Sequence, residues 1–329
     1  MTKAKRQNVS LPFEMPRYSS YHWLADAGVP AKNNPTSDVW YFNNTVPIHC
    51  NPALFQVQTF YPNVQVARGN IWDLPFLEKV HFQSRFVKNC SREIIQSLLE
   101  QGFYAHFWGA DDYYIPGKSW YKRKHLGHDG LLCGVDNDTG EYSLAAFDTG
   151  WRYCLFQTTQ RGVAAALKQN VERQGWGELV GVKCDPNYVV ELDVPLIKKE
   201  LEEYLSAPPF NRDDTTTGIS VHDALSEYLD TFKAGETPHE RSDRRIFRMM
   251  WEHKSCMLDR IKAVEAHCGL DDEISAEYAT LVELSDQIRF IYMKYCSNRN
   301  DRLIDGIQEL LREVAGKEAQ PLSRLCEKI

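Results

Sequence analysis

The sequence predicts an α+β fold, an antiparallel sheet in the first half of the chain followed by a C-terminal helical bundle. Three observations carry that prediction. Two apolar runs, Asp129 to Val135 and Tyr142 to Phe147, flank DNDTGE, whose Asn, Asp and Gly tolerate the positive φ of tight turns, so the pair reads as a β-hairpin. Ser91 to Gly102 has a Ser N-cap, an apolar stripe of Ile94, Ile95, Leu98 and Leu99, and a Gly stop, which together spell a helix. In the last third, apolar residues recur at intervals of three, four and seven: Ile246, Met250, Met257, Ile261 and Val264, then Leu281, Leu284, Ile288 and Ile291, then Ile304, Ile307, Leu311 and Val314. Core packing of a bundle is the ordinary cause of such stripes. The 329 residues, 43% hydrophobic and 25% charged, suit two modest domains, read here as 1–185 and 186–329.

In chain order, residues 1 to about 45 are rich in Pro, Asn, Ser and aromatics without clear periodicity, and read as an irregular arm anchored by Trp23, Trp40 and Tyr41. After the Ser91 helix comes an aromatic strand, Phe103 to Trp108, and then the loop GADDYYIPGKSWYKRKHLG, interrupted by Gly and Pro. The hairpin follows, with a third strand at Trp151 to Gln157 and a helix at Arg161 to Arg173. Val194 to Leu205 is a helix ended by Ala207-Pro208-Pro209, and the polar FNRDDTTTG connects it to a helix starting near Ser220.

Composition narrows the function. Thirty-eight Lys and Arg against 45 Asp and Glu leave a formal charge of −7, which argues against a sequence-wide grip on nucleic acid or anionic membrane. No apolar run approaches the roughly 20 residues of a membrane helix, and the basic start has no apolar segment behind it, so no membrane span or signal peptide is expected. Nine scattered cysteines without a C-x-x-C pair fit a reducing cytoplasm. The ten histidines form no H-E-x-x-H, and His125 and His128 have a glycine between them, which is poor ligand geometry on a helix; no metal is expected. Phosphate-loop, dinucleotide-binding and nucleophile-elbow motifs are absent from the sequence, so no cofactor is expected either.

One constellation remains. Cys50, in VPIHCNPALFQVQTF, sits before a short apolar run that could begin a helix, where the macrodipole would lower its pKa. His128 opens one hairpin strand and Asp148 ends the other, so antiparallel pairing would bring them side by side. Cysteine, base and orienting acid make a nucleophilic triad. Each also has a plainer reading: a small buried hydrophobe, an exposed histidine, a turn aspartate.

At these residues the sequence resembles a family. HDGLLCGVDNDTGEYSLAAFD, His128 to Asp148, looks like the His-strand, turn, strand-Asp segment of papain-like bacterial enzymes, among them the double-glycine leader peptidases and the acyltransferases typified by butirosin biosynthesis protein H. The resemblance carries motif content over residues 40 to 160 and matches the helical remainder in layout. It implies a papain-like core, Cys50 as nucleophile, His128 as base and Asp148 as orienting acid. It further implies acyl transfer from the thioester of an acyl or peptidyl carrier protein to an amine, or to water. A peptidase of the same fold and a non-catalytic scaffold are the other readings. The sequence departs from the relatives in lacking a Gln shortly before the cysteine, leaving Asn44 or Asn43 as oxyanion donors, and in following Cys50 with Asn51-Pro52.

Other residues bear on substrate. Lys118, Lys122, Arg123 and Lys124 are a basic cluster in an acidic protein, read either as a solvated loop or as a docking patch for an acidic carrier and its phosphopantetheine phosphate. Arg244 and Arg248, with Arg241 and Arg245, offer a second patch. Asp112, Tyr113 and Tyr114 are candidates for the acceptor pocket, Asp112 attracting the amine and the tyrosines equally suited to packing.

Overall fold

A computed structural model describes residues 6–50, 65–66, 71–211 and 215–329. The elements run β1 (Val9–Ser10), α1 (His22–Ala31), α2 (Ser37–Asn44), β2 (Ile48–Cys50), β3 (Gln65–Val66), β4 (Leu77–Phe82), α3 (Ser84–Glu100) and β5 (Tyr104–Asp111). Then come β6 (Gly127–Asp136), β7 (Glu141–Phe147), β8 (Tyr153–Thr159), α4 (Gln160–Gln174) and β9 (Glu178–Cys184). The rest is helical apart from one short strand: α5 (Val194–Leu205), β10 (Thr216–Thr217), α6 (Val221–Lys233), α7 (Arg245–Cys268), α8 (Glu273–Asn298) and α9 (Arg302–Lys328). The architecture is α+β with an antiparallel sheet and a C-terminal helical region. No helix among the described residues is long and apolar enough to cross a membrane.

The chain divides into two compact units, Met1–Ser37 with Ile71–Tyr188, and Asp38–Asn70 with Val189–Ile329. In the first unit an antiparallel sheet runs β4-β9-β5-β6-β7-β8, with β1 paired to β6. Alternation along the strands supplies both faces. Tyr104, Leu131, Cys133, Ala145 and Tyr153 meet Ala25 and Val29 of α1 on one side. Ala105, Phe107, Leu132, Leu144 and Ala146 turn to the other, into a core shared with Ile95 and Leu98 of α3 and Val163 and Leu167 of α4. The β5–β6 register breaks between Phe107 and Ala110. Gly109 turns that bulge at φ +72, where an added Cβ would lie 2.7 Å from the Trp176 ring.

In the second unit most of the expected stripe residues are buried, namely Ile246, Met250, Met257, Ile261, Val264, Leu281, Ile288, Ile304, Ile307, Leu311 and Val314, while Leu284 and Ile291 are half-buried. A small sheet, β10-β2-β3, accompanies the helices.

Three expectations are corrected. The first 45 residues are not an irregular arm: they contain α1 and α2. Residues Leu24 to Ala31 are all buried, so α1 shows no apolar stripe, and it accommodates Pro30 near its end. Residues 38–50 group with the second unit rather than with the large sheet. Arg260 of α7, fully buried, donates to the Phe42 and Tyr41 carbonyls and to Thr45 Oγ1, and His253 Nε2 lies 3.0 Å from the Val46 carbonyl, so buried polar groups of α7 hold this segment to the helices. Lastly, the helix expected from Ser91 is present but is preceded by an unexpected helical segment from Ser84, the two meeting at a break at Cys90, where φ is −130.

Candidate functional site

Cys50 is the last residue of β2, paired antiparallel with Thr216, and is fully buried. The helix expected to begin after it lies outside the described residues. Burial pushes the thiol up to about 12, the reverse of the activated thiolate expected from the sequence, because low-polarity surroundings penalise the charged form. Cys50 also belongs to the second unit, whereas His128 and Asp148 belong to the first; neither unit contains the whole triad.

His128 and Asp148 come from paired strands as expected, and continuing the register from Leu131↔Ala145 brings position 128 level with 148. The carboxylate is nevertheless occupied by its own turn. Asp148 Oδ1 accepts from the Gly150 and Arg152 amides at 2.7 and 2.9 Å, and Oδ2 meets the Arg152 guanidinium at 3.0 Å. Partial burial works to raise the Asp148 pKa, but these Arg152 and Gly150 contacts outweigh it and hold the group below the usual carboxylate range. A carboxylate two to four residues from unpaired amides captures them first. Asp148 therefore builds the corner and makes no hydrogen bond to His128 among the described residues.

His128 has different neighbours. Its Nδ1 lies 3.2 Å from Lys118 Nζ, and an ammonium can only donate, so Nδ1 is the acceptor and the ring proton sits on Nε2. Lys118, buried, also donates to the Asp129 carbonyl at 2.9 Å and stands 3.4 Å from Asp112 Oδ1, an ion contact too poorly aligned for a hydrogen bond. The His22 ring is 4.8 Å from that of His128. His22 is the first residue of α1, and its Nε2 is 2.8 Å from Asp129 Oδ2, so that nitrogen donates and Nδ1 keeps its lone pair. Nδ1 bonds to no described residue, and the side chain is 20% exposed.

Asp129 is held from two sides. Its Oδ1 accepts the Gly109 amide at 3.1 Å, so the β5 bulge aims a main-chain donor at it. Burial works to raise its pKa, but the His22 hydrogen bond, the electrostatic pull of the His22 and His106 rings, and the Gly109 amide overcome this and hold it well below the usual carboxylate range. Asp112 goes the other way: burial raises it, with Lys118 only partly opposing. One turn along α1 from His22, Asp26 is fully buried, accepting from Tyr153 Oη at 2.7 Å and lying 3.1 Å from His106 Nε2. These contacts pin α1 to the sheet. The first unit thus gathers a histidine–carboxylate pair, a second histidine and a buried lysine.

The remaining sequence candidates fall as follows. Asn43 Nδ2 donates to the Glu191 carbonyl while its Oδ1 accepts the Asp193 amide, and Asn44 Nδ2 donates to the Trp40 carbonyl. Both make these main-chain contacts within the second unit. Asp112 has Lys118 as its nearest cation, at 3.4 Å. Tyr113 stacks on His125 at 4.2 Å, Tyr114 meets Tyr113 edge-on, and Lys122 Nζ lies over both rings. Lys122, Arg123 and Lys124 are exposed in the first unit. Arg244 is exposed in the second, where Arg248 is paired with Glu252 at 3.1 Å.

Sequence reasoning missed His22 and Asp129. A signal existed: His22 precedes the small apolar run LADAGVPA and lies four residues from Asp26, a spacing that shares one helix face. No protein-family model matches the chain, and no curated protein matches it. Among the described residues, no group of three or more His, Cys, Asp or Glu side chains is placed to hold a metal ion.

Proposed function

We propose that the first unit is a papain-like core working by general acid–base catalysis, and that it transfers an acyl group from a phosphopantetheine thioester to an amine or to water. The observation that carries this reading is the His22–Asp129 pair. In the expected triad, the residue opening a helix faces the histidine that opens a strand; here the helix-opening residue facing His128 is His22. The acyl-transfer class is supported by the resemblance of the His128–Asp148 hairpin, and the exposed Lys122, Arg123 and Lys124 suit the arm's phosphate, with a carrier protein as one possible bearer of that arm.

His22 Nδ1 removes a proton from the acceptor amine as its nitrogen attacks the thioester carbon, and Asp129 stabilises the imidazolium that forms. The tetrahedral intermediate collapses with cleavage of the C–S bond, and the proton on His22 passes to the departing thiolate, leaving amide and free thiol. Lys118 donates to His128 Nδ1 and so fixes the orientation of that ring beside the base.

The test is turnover of short acyl thioesters with a panel of amines, following thiol release and amide formation. His22→Ala and Asp129→Asn should each lower kcat/KM by about 10²- to 10⁴-fold, the usual worth of a positioned base, while Cys50→Ala stays within a few-fold of the parent. Loss of turnover in Cys50→Ala, with an acyl adduct on Cys50 in the parent, would restore the covalent triad. Steady cleavage of unstructured peptides without thioester consumption would point to a peptidase instead.

A further inference from the structure

The Asp148 corner does something other than catalysis. Asp148 engages the Gly150 and Arg152 amides through its carboxylate, the Trp151 amide through its carbonyl at 3.0 Å, and the Ser119 hydroxyl at the same carbonyl at 2.9 Å. Together these contacts hold Trp151 at φ +59, a left-handed conformation that a bulky residue adopts only under constraint. The result is an indole left 55% exposed, large for an apolar side chain on a corner with nothing described over it. Trp120 stands edge-on to it, 6.1 Å between ring centroids at 79°. Around the pair lie cations: Lys124 Nζ is 5.3 Å over the Trp120 ring, and Arg152, beside Trp151, is itself exposed. The same loop reaches inward through Lys118 to His128, so the corner and the acid–base cluster share one segment.

An aromatic face ringed by ammonium and guanidinium groups matches a ligand that is flat at one end and anionic next to it. Resting on the acyl-transfer reading above, we infer that the Trp120–Trp151 corner binds the nucleotide end of a coenzyme A-type thioester, its base stacked on Trp151 and its phosphates met by Lys124, with Arg152, paired to Asp148, at the rim. A carrier protein presents the same arm without a base to stack, and the exposed indole would have no counterpart there. The donor is therefore a free nucleotide thioester, and Asp148 is a positioning residue for its binding.

Calorimetric titration of the full chain with coenzyme A, and separately with pantetheine, tests this. Coenzyme A should bind at least tenfold more tightly than pantetheine, and its affinity should fall as salt rises. Trp151→Gly, which takes the positive φ without strain and so keeps the turn, should weaken coenzyme A binding about tenfold or more with no loss of melting temperature. Lys124→Gln should weaken it and flatten the salt dependence. Equal affinity for the two probes, unchanged binding in Trp151→Gly, or tighter binding of a carrier protein that Trp151→Gly does not weaken would each overturn the inference. Turnover of an N-acetylcysteamine thioester, which has no nucleotide, separates the two proposals. Turnover without coenzyme A binding sinks only the nucleotide site, and Trp151-dependent binding without turnover sinks only the catalytic reading.

Discussion

Two buried histidines should make the second unit sensitive to mild acid. His222 Nδ1 donates to the Ile219 carbonyl at 2.7 Å, while its Nε2 is 3.7 Å from Glu318, too far for a hydrogen bond, and Glu318 is already engaged by Lys254 at 2.7 Å. Burial, reinforced by the Lys254 charge, lowers His222 from 6.5 to about 4 despite Glu318. Burial and Lys254 likewise lower His253 to about 3, although its Nε2 donates to the Val46 carbonyl. Since both folded values are depressed, the unfolded chain binds protons that the native state refuses. The stabilisation is present in full above about pH 6.5 and is lost as pH falls from there toward 4. At pH 5 an unfolded histidine lies 1.5 units below its ordinary value and is almost fully protonated, so at ~1.4 kcal/mol per unit the loss is about 2 kcal/mol for each and about 4 for the pair. Urea unfolding of the full chain at pH 7 and pH 5 measures it, against a double variant in which His222→Asn keeps the Nδ1 donor and His253→Gln keeps the Nε2 donor. The double variant is expected to be weaker at pH 7 and to lose about 4 kcal/mol less between the two pH values. Equal pH dependence in both proteins would refute the reasoning.

Glu318→Gln should cost about 3–5 kcal/mol, because it strands the fully buried Lys254 ammonium and weakens the bonds that Glu318 accepts from Tyr204 and Tyr278; chemical denaturation reads it. Gly109→Ala should lower both the melting temperature and activity, since the added methyl meets the Trp176 ring at a positive φ and disturbs the amide that orients Asp129; a neutral result on turnover would separate the bulge from the site. Arg260→Met should loosen residues 38–50 from α7 by removing the guanidinium that donates to the Tyr41 and Phe42 carbonyls and to Thr45, seen as faster amide hydrogen exchange across that segment. Asp148→Asn should leave turnover of a short thioester within a few-fold while lowering the melting temperature, because the carboxylate serves the turn.

Where local chemistry decides the structure, the sequence was readable. The α5 helix runs Val194–Leu205 as expected, capped by the Asp193 side chain on the Leu196 amide and stopped ahead of Pro208-Pro209. The hairpin was legible because its turn residues and alternation agree, and the bundle because most of its stripe residues are buried. Where burial surrounds an element, the pattern vanishes: α1 is enclosed from Leu24 to Ala31 and reads as irregular. The β9 strand, paired on both sides by β4 and β5, was likewise missed, since its pairings are long-range. The site divides the same way. His128 was legible as a histidine opening a strand, but its partners were not, because His22 comes from a segment more than a hundred residues earlier and Lys118 from a loop whose other cations face solvent. Spacing also favoured Asp148, which its own turn then claims, and Cys50, whose burial in β2 nothing local announces.

The central claim is that acyl transfer proceeds directly, with His22 as base and no intermediate on Cys50. Initial rates measured over a grid of thioester and amine concentrations, with intact mass recorded in the same reactions, test it most directly in the parent and in Cys50→Ala. Direct attack requires both substrates bound together, so the account predicts intersecting double-reciprocal lines, no mass increase in the absence of amine, and the same pattern in Cys50→Ala. Parallel lines with an acyl mass on Cys50, both abolished by Cys50→Ala, would contradict it.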